Sequence, residues 1–259
     1  MNVASKTVGW LLAAALLGGS ASAAEADKQL RVTGSVWAPY IDPSRPNNGL
    51  AADLVTTALR RAGYSLDSEI ETWPRAYRGT AIGVYDVVAS VWKTPAREAD
   101  LVFSEPYLMN DIVLMSKRGR ALPFEGLDDL VGFTIGVENE FAYGGGFDER
   151  ADLRKVVSNS LIQNLLLLRQ GKVDLVIGDR WSIYYELTNY LPDAVNAFEM
   201  LPNALVRRAL HMGVSRQNPE AGKILADFNR ELEAMNADGT YREILDLHTR
   251  GLAVVEPGR

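Results

Sequence analysis

Apolar and polar positions alternate from Gln29 to Ser35 (QLRVTGS), which predicts a half-buried strand. Trp37-Ala-Pro-Tyr40 follows at its end, and a loop rich in Pro, Asn and Ser runs on to Gly49. In Ala51–Ala62 the spacing changes to that of a helix, with Leu54, Val55, Ala58 and Leu59 on one stripe and Gly63 as its stop. Leu66–Thr72 is a second strand leading to Trp73-Pro74-Arg75, and a further helix extends to about Ile82. Gly83-Val-Tyr-Asp86 then feeds the short apolar run Val87–Ala89, a buried strand. Ser90, Trp92, Lys93 and Thr94 follow, and Thr94-Pro95-Ala96-Arg97 reads as an N-cap, a helical N1 proline and a first turn.

A similar module returns downstream. Ser158–Arg169 is an apolar helix, followed by Gly171-Lys-Val-Asp174 and the strand Leu175–Ile177. GVYDVVAS and GKVDLVIG share the glycine, the aspartate and the strand after it, so two lobes built on similar βαβ units are expected. Between the copies, Asp111–Ser116 is a strand crossing from one lobe to the other, and Phe133–Val137 opens the second lobe. Leu205–Val214 is the return strand. The amphipathic helices Pro219–Leu232 and Ala237–Leu247 are expected to pack back on the first lobe.

Composition changes this picture mainly at the N-terminus. Lys6, the apolar Val8–Leu17 and the small residues Ala21-Ser22-Ala23 have the form of a secretory signal peptide, residues 1–23, whose apolar core is too short to span a bilayer. The expected location is therefore the periplasm. The chain has 259 residues and no cysteine, so an exported fold must rest on its apolar core. His211 and His248 lack a ligand-spaced partner, so no metal and no cofactor is expected. The net charge of −6 argues against nucleic acid as a partner.

Arg97 offers a planar fork of donors beside a helix start, suited to a carboxylate; pairing with Glu98 or Asp100 is the alternative. Beyond the leader, Trp37, Trp73, Trp92 and Trp181 each lie at or near a strand-to-loop junction, where an aromatic either seals the core or meets a ligand. Asp179 stands just past Leu175–Ile177, where it can cap the helix Arg180–Leu187.

The order strand, Ser90, T-P-A-R, a short spacer and F-S-E-P-Y resembles the periplasmic solute-binding proteins for polar amino acids, family 3, over about Leu30 to Leu247. The resemblance implies an α/β, two-lobed periplasmic-binding-protein fold of type II, with two crossing hinge strands. Lobe 1 would comprise residues 24–108 and 208–259, and lobe 2 residues 109–207. It also implies that Arg97 and the turn containing Ser90 hold a ligand carboxylate, that Trp37 and Trp73 sandwich the ligand, and that Asp179 accepts from its ammonium. Trp92 joins this set. The partner would be the membrane permease of an ABC importer, and the protein a monomer. One departure stands out: the family's Gly-Ser/Thr after the second-lobe strand is replaced by Glu138-Asn-Glu-Phe-Ala-Tyr143-Gly-Gly-Gly146, which passes the contact to Tyr143 or the glycine backbone. Gly34 stands where binders of cationic amino acids carry an acid. Two other functions use the same scaffold. One is a periplasmic dehydratase of cyclohexadienyl acids, with Glu138, Glu140 or Glu105 as acid/base; the other is a ligand-sensing partner of a sensor kinase.

Overall fold

The structure is a computed structural model that describes residues 29–250 except Ala121 and Pro123, together with Met1 and Leu252. The signal-peptide reading, Met1 apart, and the tail beyond Leu252 lie outside the described residues.

The first half builds on β1 (Gln29–Ser35), β2 (Ser65–Glu71) and β3 (Val87–Trp92), with β1 parallel to both others. Helix α1 (Leu50–Arg61) crosses from β1 to β2, and α2 (Trp73–Ala81) from β2 to β3. The α1 stripe is inside, with Leu54, Val55, Ala58 and Leu59 all fully buried; each large aliphatic there contributes roughly 1.5–3 kcal/mol of burial. β3 runs longer than its apolar opening. Ser90, Val91 and Trp92 continue it, because Trp92 and Val91 pair with Leu210 and His211 on a distant strand. A short helix α3 (Pro95–Glu98) follows, then strand β4 (Leu101–Phe103).

The second half repeats the plan with β6 (Thr134–Glu138), β7 (Arg154–Ser158) and β8 (Leu175–Asp179), where β6 is parallel to both neighbours. Helices α4 (Leu161–Gln170) and α5 (Arg180–Tyr190) accompany them. The two Gly-x-x-Asp copies do the same work. Asp86 N–H donates to the Arg31 carbonyl and its carboxylate accepts from Arg31 N–H, at 2.9 Å each. Asp174 makes the same pair of bonds to Thr134, at 2.8 Å each. Each aspartate thereby fastens its strand to the central strand of its own half. Gly136 is required by close approach: a Cβ there would stand 2.9 Å from Asn164 Oδ1 on α4.

β5 (Leu108–Lys117) and β10 (Val206–Ser215) link the halves, pairing antiparallel from Leu108–Ile112 to Val206–Leu210. One sheet results, in the order β2-β1-β3-β10-β5-β8-β6-β7, with β4 on β10 and the short β9 (Phe198–Met200) on β5. This is a two-lobed α/β fold with two crossing strands. Helices α6 (Ala221–Asp238) and α7 (Thr240–Thr249) return to the first half and pack on α1. Tyr64 donates to Asp227 at 2.8 Å, and Arg61 pairs with Asp238 at 2.6 Å across that contact. Strands β4, β7 and β9 were not expected from the pattern; two are three-residue segments and β7 is short and partly exposed.

Candidate ligand-binding site

A cavity of about 300 Å³ opens where the carboxyl ends of three strands of the first half meet those of two strands of the second. Ser35, Val36 and Trp37 follow β1, Trp73 follows β2, and Ser90–Trp92 end β3; Glu138–Ala142 leave β6 and Asn159 leaves β7. Arg97 and Leu210 complete the lining. Sites in open α/β sheets form at these strand ends, and the volume suits an amino-acid-sized molecule.

Arg97 is set by its short helix. Thr94 Oγ1 accepts from Arg97 N–H at 3.3 Å, and the guanidinium donates to the Trp92 carbonyl at 2.8 Å. The guanidinium lies 4.6 Å over the Trp73 ring. It pairs with neither neighbouring acid: Glu98 meets Lys93 at 2.9 Å, and Asp100 accepts from Tyr77 at 2.6 Å. Burial, reinforced by nearby Arg208, lowers its pKa to about 10. Arg208, from β10, sits 4.3 Å over the Trp92 ring and donates to the Ala142 carbonyl. Burial lowers its pKa as well. Arg97 is a desolvated guanidinium on the lining without a carboxylate ion pair among the described residues, which suits this wall to anionic oxygen; Arg208 stands over Trp92, off the lining.

The walls are aromatic. Trp37 meets Trp92 edge-on at 5.3 Å, and Phe141 from the second half meets Trp92 at 5.1 Å. Trp73 stacks on Tyr77 at 5.8 Å, so its ring is held flat beneath Arg97.

On the second half the backbone turns sharply after β6, with Glu140 at φ 60°. Glu138 lines the cavity, and burial pushes its carboxyl up to about 7. Among the described residues no group of three His, Cys, Asp or Glu side chains comes together to hold a metal.

Five residues singled out from the sequence therefore share one cavity: Trp37, Trp73, Ser90, Trp92 and Arg97. Tyr143 and Asp179 are not on its lining. Tyr143 is 2% exposed, and its hydroxyl accepts from Glu138 N–H at 2.7 Å, so it positions the turn. The backbone of Gly144 and Gly145 faces Arg208 and Val206. Asp179 is 1% exposed; it accepts from Tyr40 OH at 2.9 Å, Ser182 N–H at 3.0 Å and Asn110 Nδ2 at 3.1 Å. Burial raises its pKa to about 6 in spite of these donors. Asn110 also accepts from Trp92 Nε1 at 2.8 Å, so Asp179 reaches the cavity wall only through a relay. Trp181 packs on Tyr184, off the lining. Sequence reasoning missed Arg208, Phe141 and Asn159. Arg208 lies on the return strand without a local motif, although its place in Val206-Arg-Arg-Ala209, a basic pair inside a β-run, was a usable signal.

Known proteins place this arrangement. The chain is 30% identical over 164 residues to ABC transporter arginine-binding protein 1 of Escherichia coli (strain K12); the match covers 62% of this chain and 65% of that protein, just under two thirds of its length. It is 24% identical over 238 residues to the same organism's putative ABC transporter arginine-binding protein 2, covering 90% of this chain and 96% of that one. In fold it resembles an ancestral arginine-binding protein bound to arginine, with TM-score 0.68, 21% identity, and coverage of 85% of this chain and 97% of that one. The two-lobed fold thus has its counterpart among solved binding proteins, the family profile matches residues 33–249, and the chain belongs to the bacterial extracellular solute-binding proteins, family 3.

Proposed function

We propose that this solute-binding protein captures an amino-acid-like molecule in the strand-end cavity and presents it to the membrane permease of an ABC importer. The observation that carries the reading is Arg97: a half-buried guanidinium, stacked on Trp73, at a cavity wall, with no carboxylate paired to it among the described residues. A ligand carboxylate supplies that partner, and Ser90 adds a hydroxyl beside it. Trp37, Trp73, Trp92 and Phe141 enclose the ligand's apolar or planar body. The relatives named for arginine support the amino-acid class. Export to the periplasm follows from the leader pattern. The halves, residues 24–108 with 208–259 and residues 109–207, close about a hinge near Leu108–Asp111 and Leu205–Arg208, where the two linking strands pair.

The protein binds and releases; it does not transform. Glu138, near neutrality, favours one rival, a dehydratase with this carboxyl as general acid. A thermal-shift screen of the proteinogenic L-amino acids tests the main reading, because a ligand that binds only the folded chain stabilises it by RT ln(1 + [L]/Kd). A raised melting temperature with at least one amino acid is expected, and its recovery unchanged after long incubation. A flat response across the panel overturns the amino-acid class. Product formed in excess over protein replaces binding with catalysis.

A further inference from the structure

We propose that Glu138, on the second half, receives the ligand's cationic group, opposite the carboxylate receptor at Arg97. The inference rests on the amino-acid reading above and adds to it the residue that selects an amino acid over a plain carboxylic acid.

Three observations converge on Glu138. It lies at the carboxyl end of β6 and lines the same cavity as Arg97. Its backbone is clamped by the Tyr143 hydroxyl, so the side chain springs from a fixed point. The Leu161 N–H at the start of α4 favours its charged form, and no Lys, Arg or His pairs with it among the described residues. An ionised carboxylate offers about four acceptor positions, so one backbone donor leaves most of them free. The groups around it do not neutralise it: Glu186 on α5 has the same charge, Glu140 follows in the same turn, the Tyr143 hydroxyl faces its backbone and Arg97 stands across the cavity.

Asp179, at the end of β8, is buried and already accepts three hydrogen bonds. Tyr40, Ser182 and Asn110 donate to it, and it is closed to the cavity. The cavity thus has a guanidinium wall on one half and two acids, Glu138 and Glu140, on the other; Glu140 is exposed, whereas Glu138 is half-buried and held by its backbone. A zwitterion complements both.

The side chain has a second use as the cap of α4, and the test must separate the two. Glu138→Gln keeps the volume and a carbonyl oxygen for Leu161 N–H, and loses only the charge. The probes are the proteinogenic L-amino acids and, for each that binds, its des-amino carboxylate, measured by isothermal calorimetry. The variant is expected to lose about tenfold or more in affinity for the amino acid and less than about twofold for the des-amino probe.

The unsubstituted protein carries the same test. Because the free carboxyl titrates near 7, a bound ammonium must displace its proton at lower pH. Affinity for the amino acid should therefore rise about 30-fold between about pH 5.5 and about pH 8, while the des-amino probe lacks this rise. Unchanged amino-acid affinity in the variant, equal losses for both probes, or a loss confined to Asp179→Asn overturns the assignment while leaving the amino-acid reading intact. Failure of every amino acid to bind the unsubstituted protein overturns both.

Discussion

Replacing Arg97 with methionine should weaken ligand capture by about 30-fold or more while leaving the free protein about as stable as before. In the free protein burial lowers the guanidinium pKa to about 10, a cost of about 3 kcal/mol at 1.36 kcal/mol per unit. The sign is that of a depressed base. Arg97 is charged in both folded and unfolded chains at neutral pH, so the whole cost is present there. It is an upper figure, because the side chain keeps partial contact with water. Against it stand the contact with Trp73, worth about 1 kcal/mol, and the charged hydrogen bond to the Trp92 carbonyl, worth about 2 kcal/mol. The opposing effects nearly cancel, so Arg97→Met should shift unfolding free energy by no more than about 1 kcal/mol. Binding is different, since a buried ligand carboxylate would lose its bidentate partner at a cost of about 2–5 kcal/mol. That corresponds to roughly 30-fold to several thousand-fold in Kd. Urea unfolding of the free variant and calorimetric titration with the best-binding amino acid read the two quantities separately. Affinity retained within about threefold would remove Arg97 from the site. A free variant destabilised by more than about 3 kcal/mol would show that the residue chiefly supports the fold.

Asp179→Ala strands the donors Tyr40 OH, Asn110 Nδ2 and Ser182 N–H, and should cost about 2–4 kcal/mol, seen as a lower urea midpoint. The Asp227 carboxyl resists burial but is held well below the usual carboxylate range by Lys223, Arg230 and Tyr64, each within 2.8 Å. A depressed acid adds stability above its unfolded pKa of about 4 and loses it as pH falls, so Asp227→Asn should flatten the acid limb of the melting curve by about 1–2 kcal/mol. Saturating ligand should reduce the radius of gyration in small-angle scattering if the halves close about β5 and β10; an unchanged value counts against a hinge there.

Much of the fold was legible along the chain. The spacing of β1, α1, β2 and α2 is plain in the alternation of side chains, since each element buries one face and periodicity reports that burial directly. The duplicated Gly-x-x-Asp announced two similar halves, and the structure supplies the reason: each aspartate pairs with the backbone of its neighbouring central strand. Arg97 could be named because the proline and the cap residue that aim it are adjacent in sequence, whereas the roles given to Ser90, Trp37 and Trp73 came from the resemblance to the solute-binding family.

Other features depend on residues brought together from far apart. Ser90 and Trp92 look like the end of a strand until β10 pairs beside them. Arg208 and Phe141 become cavity neighbours only when the return strand and the second half face Trp92. The contrast between two acids is the clearest case. Asp179 and Glu138 each end a strand of the second half, and the sequence alone offers no way to rank their exposure. Tyr40, Asn110 and Ser182, between 3 and 139 residues away, converge on the first and enclose it, while the second is left with one backbone donor at the cavity wall. Local pattern determines which face of an element is apolar. Solvation and hydrogen-bond saturation of a particular carboxylate are set by every chain segment that surrounds it, and only the tertiary structure assembles them.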